Sequence, residues 1–138
     1  MSSEEARSFN WLLNSFVERT TGVTDAVAVS SDGLLMAMSA ELERAGAEQL
    51  SAIISGFVSL GHSTSRCFGF EELNQVIVSM NGGFLFVSSV SDGSCLGVVA
   101  DRTCDIGLVG YQMTLLVERA GSVLTPGLVV ELKGLVAV

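Results

Sequence analysis

A chain of 138 residues, 49% of them hydrophobic, is long enough for one domain with a sizeable core. Its 15 acidic residues against 7 basic ones leave a net charge of −8, which opposes binding to nucleic acid or to an acidic membrane surface. Mean hydropathy is high at +0.54, yet no uninterrupted apolar run approaches the roughly 20 residues of a membrane helix, so the surplus belongs in a core or an interface.

The N-terminus is polar and acidic, and the apolar cluster after it is too short and interrupted for a signal peptide. The three cysteines, Cys67, Cys95 and Cys104, lack the close-paired spacing of a zinc site and suit a reducing compartment as small core residues. A cytoplasmic location is expected.

The first helix is predicted from about Ser3 to Thr20, with Ser2 as N-cap and Glu5 completing a capping box. Phe9, Leu12, Leu13, Phe16 and Val17 form one apolar stripe. Trp11 lies off that stripe, either as a flanking core contact, the favoured reading, or as an exposed anchor. Thr21-Gly22 is the expected C-cap. From Asp25 to Ser39 two strands are joined by the turn Ser31-Asp32-Gly33, because an Asp-Gly pair between apolar runs accepts the positive φ a tight hairpin needs. Val27 and Val29 share one face, Ala26 and Ala28 the other; neither face is polar, so this strand is expected to be covered on both sides.

A second and longest helix is predicted from Glu41 to about Arg66, with Leu50, Ile53, Ile54, Phe57 and Leu60 at helical spacing. A line of small residues, Ala52, Gly56, Ser59 and Ser63, permits close backbone approach, either to the chain's own sheet or to a second copy's helix. The segment from Leu73 to Met80 alternates Val76, Val78 and Met80 against Gln75, Ile77 and Ser79, the period of a strand. Turns at Asn81-Gly82-Gly83 and Ser91-Asp92-Gly93-Ser94 carry the chain through two more strands, making an antiparallel meander. A third helix follows, with Thr103 as the expected N-cap, Asp105 in its first turn, and Ile106, Val109, Met113, Leu116, Val117 and Ala120 as its buried stripe. Thr125-Pro126 stops it, and Leu128, Val129, Leu132, Leu135 and Val136 have the spacing of a short last helix. The order, αββαβββα with that extra helix, predicts an α+β three-layer sandwich with helices on both faces of an antiparallel sheet.

Several stretches together resemble the roadblock/dynein light chain family: Gly22 to Leu34, Gly83 to Val87, Ser91 to Ser94 and Cys104 to Val109. They look closest to its actinobacterial branch, whose operons also encode a sensor-kinase-like protein and a small GTPase. The resemblance runs from about Phe9 to Pro126, so residues 1–126 are expected to form a roadblock-type domain and residues 127–138 a short apolar tail outside it. It implies a five-stranded sheet in the order 2-1-5-4-3, with the second helix on one face and the first and third on the other. It also implies homodimers that pair third strands edge to edge and pack second helices together, and binding of a small Ras-like GTPase, with a sensor-kinase-like protein as a further partner.

Catalytic chemistry finds little footing in these residues. A phosphate loop needs Gly-x-x-x-x-Gly-Lys-Ser/Thr, and the only lysine is Lys133. A Gly-x-Ser-x-Gly elbow is absent, and the single histidine, His62, cannot build a His-based metal cluster. His62 and Ser63 are adjacent on a helix and point about 100° apart, so they form no dyad; Asp32 and Asp92 are explained by their turns. No cofactor, nucleic acid or membrane insertion is expected. Two readings remain: a homodimeric, non-catalytic GTPase-binding module, or a profilin-like or PAS-like small-molecule sensor or general scaffold. The first carries an expected interface of Ala52, Gly56, Ser59 and Ser63 on the second helix with Leu73, Gln75, Val76, Ile77, Val78 and Met80 on the third strand. That strand opens the meander and shows no Lys, Pro or bulge to protect an edge.

Overall fold

The computed structural model describes residues 3–137. In order the elements are α1 (Glu4–Arg19), β1 (Val23–Val29), β2 (Leu35–Met38), α2 (Arg44–Phe68), β3 (Gln75–Ser79), β4 (Gly83–Ser89), β5 (Cys95–Asp101), α3 (Ile106–Val123) and α4 (Pro126–Ala137). The strands form one antiparallel sheet in the order β2-β1-β5-β4-β3, as the resemblance implied. Both Asp-Gly turns close as expected: Gly33 and Gly93 sit at φ 84° and 91°, and each donates its N–H at 2.9 Å to the carbonyl three residues earlier, Ser30 and Val90.

Alternation along the central strands divides the interior into two cores. Ala26 and Ala28 of β1 and Phe84 and Phe86 of β4 face α1, α3 and α4, with Phe9, Leu13, Phe16, Val109 and Met113 against them. Val27 and Val29, with Leu85 and Val87, face α2 and its Ala47 and Ile54. Residues Ala26 to Val29 are fully buried, so the strand covered on both sides is as its composition dictates.

The helix ends depart from expectation by one to three residues, α2 running from Arg44 to Phe68 rather than from Glu41 to about Arg66. Ser2 lies outside the described residues, and the N-cap of α1 is Ser3, whose hydroxyl accepts from the Ala6 N–H at 3.1 Å. At the far end Thr20, not Thr21-Gly22, is the cap; Gly22, at φ 89°, instead turns the chain into β1. Thr103 does not cap α3. Its N–H bonds the Asp101 carboxylate at 2.9 Å, and Asp105 accepts from the Leu108 N–H at 3.1 Å. Asp105 occupies the N-cap position itself, so its carboxylate meets the N–H three residues on, while Thr103 lies in the preceding turn.

Four apolar assignments are also corrected. Trp11 is 65% exposed and makes no core contact of the expected kind, and Ile106 is 42% exposed at the start of α3, outside its buried stripe. On α2, Ile53 and Leu60 point away from the sheet, while Leu50, Ile54 and Phe57 pack on it. Adjacent residues on a helix lie about 100° apart, so Ile53 and Ile54 cannot both face inward. Of the cysteines, Cys95 is buried and Cys104 half-buried, but Cys67 is exposed. Burial, with the nearby Asp92 charge, pushes the Cys95 thiol up.

Gly22 locks two turns together. A Cβ there would stand 2.6 Å from Cys104 backbone atoms, while the Gly22 carbonyl accepts from the Asp101 N–H at 2.8 Å. Gly22→Ala therefore combines a left-handed φ with a backbone clash and is expected to cost more than about 2 kcal/mol in urea unfolding. Gly46→Ala, on exposed helix with its nearest neighbour 3.6 Å away, is the neutral or mildly stabilising control.

The last helix starts with Pro126 at its first residue, where the missing N–H is not needed. The Thr125 hydroxyl accepts from the Leu128 N–H at 3.1 Å, and α4 turns 107° away from α3. Leu128 and Leu132 are buried, with Val129 and Leu135 half-buried beside them, in the core of α1 and α3; Val136 packs into the α2 core. Two polar ties flank this packing: Glu131 accepts the Ser3 N–H at 2.8 Å, and Lys133 pairs with Asp32 at 3.3 Å. The Ser3 N–H holds the Glu131 carboxyl below its ordinary value, and the Ser30 hydroxyl, then Lys133, do the same for Asp32. A lowered folded-state pKa contributes stability that is complete above the unfolded value and lost as pH falls through the folded one. Acid below the ordinary carboxylate range, about 4, is therefore expected to weaken these two ties while Leu128 and Leu132 keep α4 in place, so the α4 amides next to them shift. Amide chemical shifts of α4 that stay constant down to pH 2 would contradict this.

Candidate interaction surface

The β3 edge is open. In the β3–β4 ladder the Met80 and Gly83 N–H groups bond each other's carbonyls at 2.9 and 3.3 Å, and the register runs Val78 to Leu85 and Val76 to Val87. Antiparallel alternation therefore points the backbone groups of Gln75, Ile77 and Ser79 away from β4, off the sheet. Side chains on this strand divide by face. Val76 and Val78 are half-buried under α2, while Ile77 is 46% exposed. The Gln75 amide donates to the Ser88 hydroxyl at 3.3 Å and the Gly110 carbonyl at 3.4 Å; Gly110 matters because a Cβ there would stand 3.0 Å from the Gln75 side-chain oxygen. These bonds hold the strand flat against β4 and α3 with its outer rim unused.

The strand is shorter than expected, and its two flanking residues serve it differently. Leu73 is half-buried against α2, where a Cβ on Gly61 would come within 2.7 Å of it, so it anchors the strand's approach from within the chain. Met80 is half exposed, and its carbonyl also accepts from the Arg102 guanidinium at 3.0 Å, which lies 4.7 Å over the Phe84 ring.

On α2 the structure brings Ala52, Gly56 and Ser59 onto the exposed side and leaves Ser63 half-buried, accepting from Arg66 at 3.2 Å. A Cβ on Gly56 would meet nothing within 4 Å, so within the chain the small residue packs against no neighbour. Ile53 and Leu60 flank this line, making the outer face of α2 apolar. Sequence reasoning missed the continuation of this surface. Gly69 ends α2 in a left-handed cap, its N–H and that of Phe70 both reaching the Ser65 carbonyl, and so places Phe68 and Phe70 side by side, rings stacked at 5.5 Å and about two thirds exposed. The signal was available in Phe68-Gly69-Phe70, two aromatics around a glycine at a helix end.

Reactive chemistry does not converge on this surface. No three His, Cys, Asp or Glu side chains gather for a metal among the described residues, and His62 is exposed on α2. A cleft of about 890 Å³ opens at the start of β3 between His62, Glu71, Glu72, Asn74, Thr114 and Glu118. No single helix among the described residues is long and apolar enough to cross a membrane.

The Roadblock/LC7 domain family model matches residues 9–100. A crystal structure of a Roadblock/LC7 domain from Streptomyces avermitilis is 37% identical, with TM-score 0.76 over 80% of this chain and 92% of that one. Myxococcus xanthus MglB shares the fold at 16% identity, with TM-score 0.78 over 88% and 91% of the two chains. A structure described as MglB with tetrameric arrangement does so at 13% identity, with TM-score 0.78 over 89% and 92%. No curated protein matches the chain.

Proposed function

The chain belongs to the Roadblock/LC7 family, and from that premise we propose that it is a non-catalytic, cytoplasmic homodimer that binds a small Ras-like GTPase and couples it to a sensor-kinase-like partner. The observation that carries this reading is the unguarded β3 edge lying beside an exposed apolar face of α2. Such a surface buries area and pairs backbone, and it offers nothing to a reacting bond. In this reading residues 1–126 are the roadblock-type domain and residues 127–138 an addition to it. Ala52, Gly56, Ser59, Ile77 and Met80 meet the second copy, with Val76 and Val78 supporting the strand from beneath.

The alternative, a small-molecule sensor on a profilin-like sheet, has less support because both sheet faces are filled by apolar side chains rather than hollowed. The test is titration of the purified protein with the small GTPase encoded nearest its gene, loaded in turn with GDP and with a non-hydrolysable GTP analogue. Saturable binding that favours one nucleotide state is expected, with no nucleotide hydrolysis by the protein alone. Absence of binding in both states overturns the proposal.

A further inference from the structure

The open β3 edge carries opposite charge at its two ends. Past its end, Arg102 lies 4.7 Å over the Phe84 ring and donates to the Met80 carbonyl at 3.0 Å. Among the described residues that guanidinium meets no carboxylate. At its start, the cleft of about 890 Å³ is lined by Glu71, Glu72 and Glu118 and by no lysine or arginine, and none of these three carboxylates forms an ion pair among the described residues. The two charges share a side of the sheet. Phe84 belongs to the core under α1 and α3, which puts Arg102 on that side, and the cleft's Glu118 comes from α3 itself.

Two identical strands paired antiparallel are related by a two-fold axis perpendicular to the sheet, which keeps α3 of both copies on one side. Pairing centred on Ile77 engages every backbone group that points off the sheet, those of Gln75, Ile77 and Ser79. That register sets Met80 of one copy opposite Asn74 of the other, about 5 Å away across the strands. Each copy's Arg102, held at its own Met80, then arrives within a side chain's reach of the other's Glu71 and Glu72, and the contact is made twice. We infer, resting on the homodimer proposed above, that Arg102 sets the register of that interface: each copy lends its guanidinium to the acidic cleft at the start of the other's β3. Slipping the strands by two residues carries each arginine about 7 Å along the edge and parts the charges. Exposed ion pairs add little affinity, so the pairs act chiefly by selecting one register and orientation.

The test is a charge exchange in the full-length chain, read by sedimentation equilibrium at low and high salt, with circular dichroism to check folding. Arg102→Glu is expected to raise the homodimer dissociation constant by about tenfold, and so is Glu71→Arg combined with Glu72→Arg, because each variant sets like charges together at both corners. A plain effect of net charge predicts the reverse for the second variant, whose substitutions reduce the chain's charge of −8. Mixing the two variants is expected to restore association at wild-type strength, since both corners of the mixed pair again join opposite charges. Raising salt weakens the wild-type dimer. A monomeric wild type overturns the homodimer and this inference with it. A wild-type dimer whose dissociation constant neither variant changes, or variants that weaken it and do not recover on mixing, overturn this inference alone; Arg102 then serves only its own Met80 carbonyl and Phe84 ring.

Discussion

Leu132→Ala is expected to lower the free energy of unfolding by about 2–5 kcal/mol, and Leu128→Ala by a similar amount, because each deletes buried side-chain atoms and leaves a cavity. Both side chains are nearly inaccessible, at 0% and 3%, and both sit among α1 and α3 residues that the sheet cannot spare. The competing account of the segment after Pro126 is a docking tail that is free until a partner arrives. On that account Leu132→Ala leaves thermal stability unchanged and abolishes partner binding, as deletion of residues 127–138 also does. The packing argues for the reverse: stability falls in urea and thermal unfolding while GTPase binding is retained. The polar ties add little to this, since exposed ion pairs such as Lys133 with Asp32 contribute only about 0–1 kcal/mol.

How much of this was legible in the residues depends on how local the cause is. The hairpin of β1 and β2 follows from one Asp-Gly pair and an alternation of Val with Ala, and it stands where those signals place it. Helix ends blur because short polar residues cluster: Ser2 and Ser3, or Thr103 and Asp105, are all competent caps, and the backbone's approach decides between them. The inward face of α2 was partly hidden because two of its buried positions, Ala47 and Ser51, are small and give no hydropathy signal, while the more conspicuous Ile53 and Leu60 turn outward. The course of α4 was not legible. A helix apolar on most sides signals burial without saying against what, and only the fold shows that its sides belong to two different cores.

A homodimer formed through β3 and α2 is the proposal with the largest consequence for assembly: the wild type is expected to sediment at about twice its chain mass of 14.4 kDa. Two substitutions separate the parts of the interface. Ile77→Pro removes an N–H that points off the sheet, so the β3–β4 ladder keeps its own bonds at Val76 and Val78 while the partner strand loses a donor. Gly56→Leu fills a position where an added Cβ meets nothing in the chain, so the isolated fold tolerates it, yet it holds a second α2 away from the first. Each is expected to raise the dimer dissociation constant by at least about tenfold, equivalent to about 1.4 kcal/mol, and the pair together to give a folded monomer. Because Ile77 is 46% exposed, its replacement removes little from the core, and unchanged circular dichroism in the double variant is part of the expected result. A wild type that runs as a monomer at every concentration tested, or a double variant that stays dimeric and folded, rules this interface out.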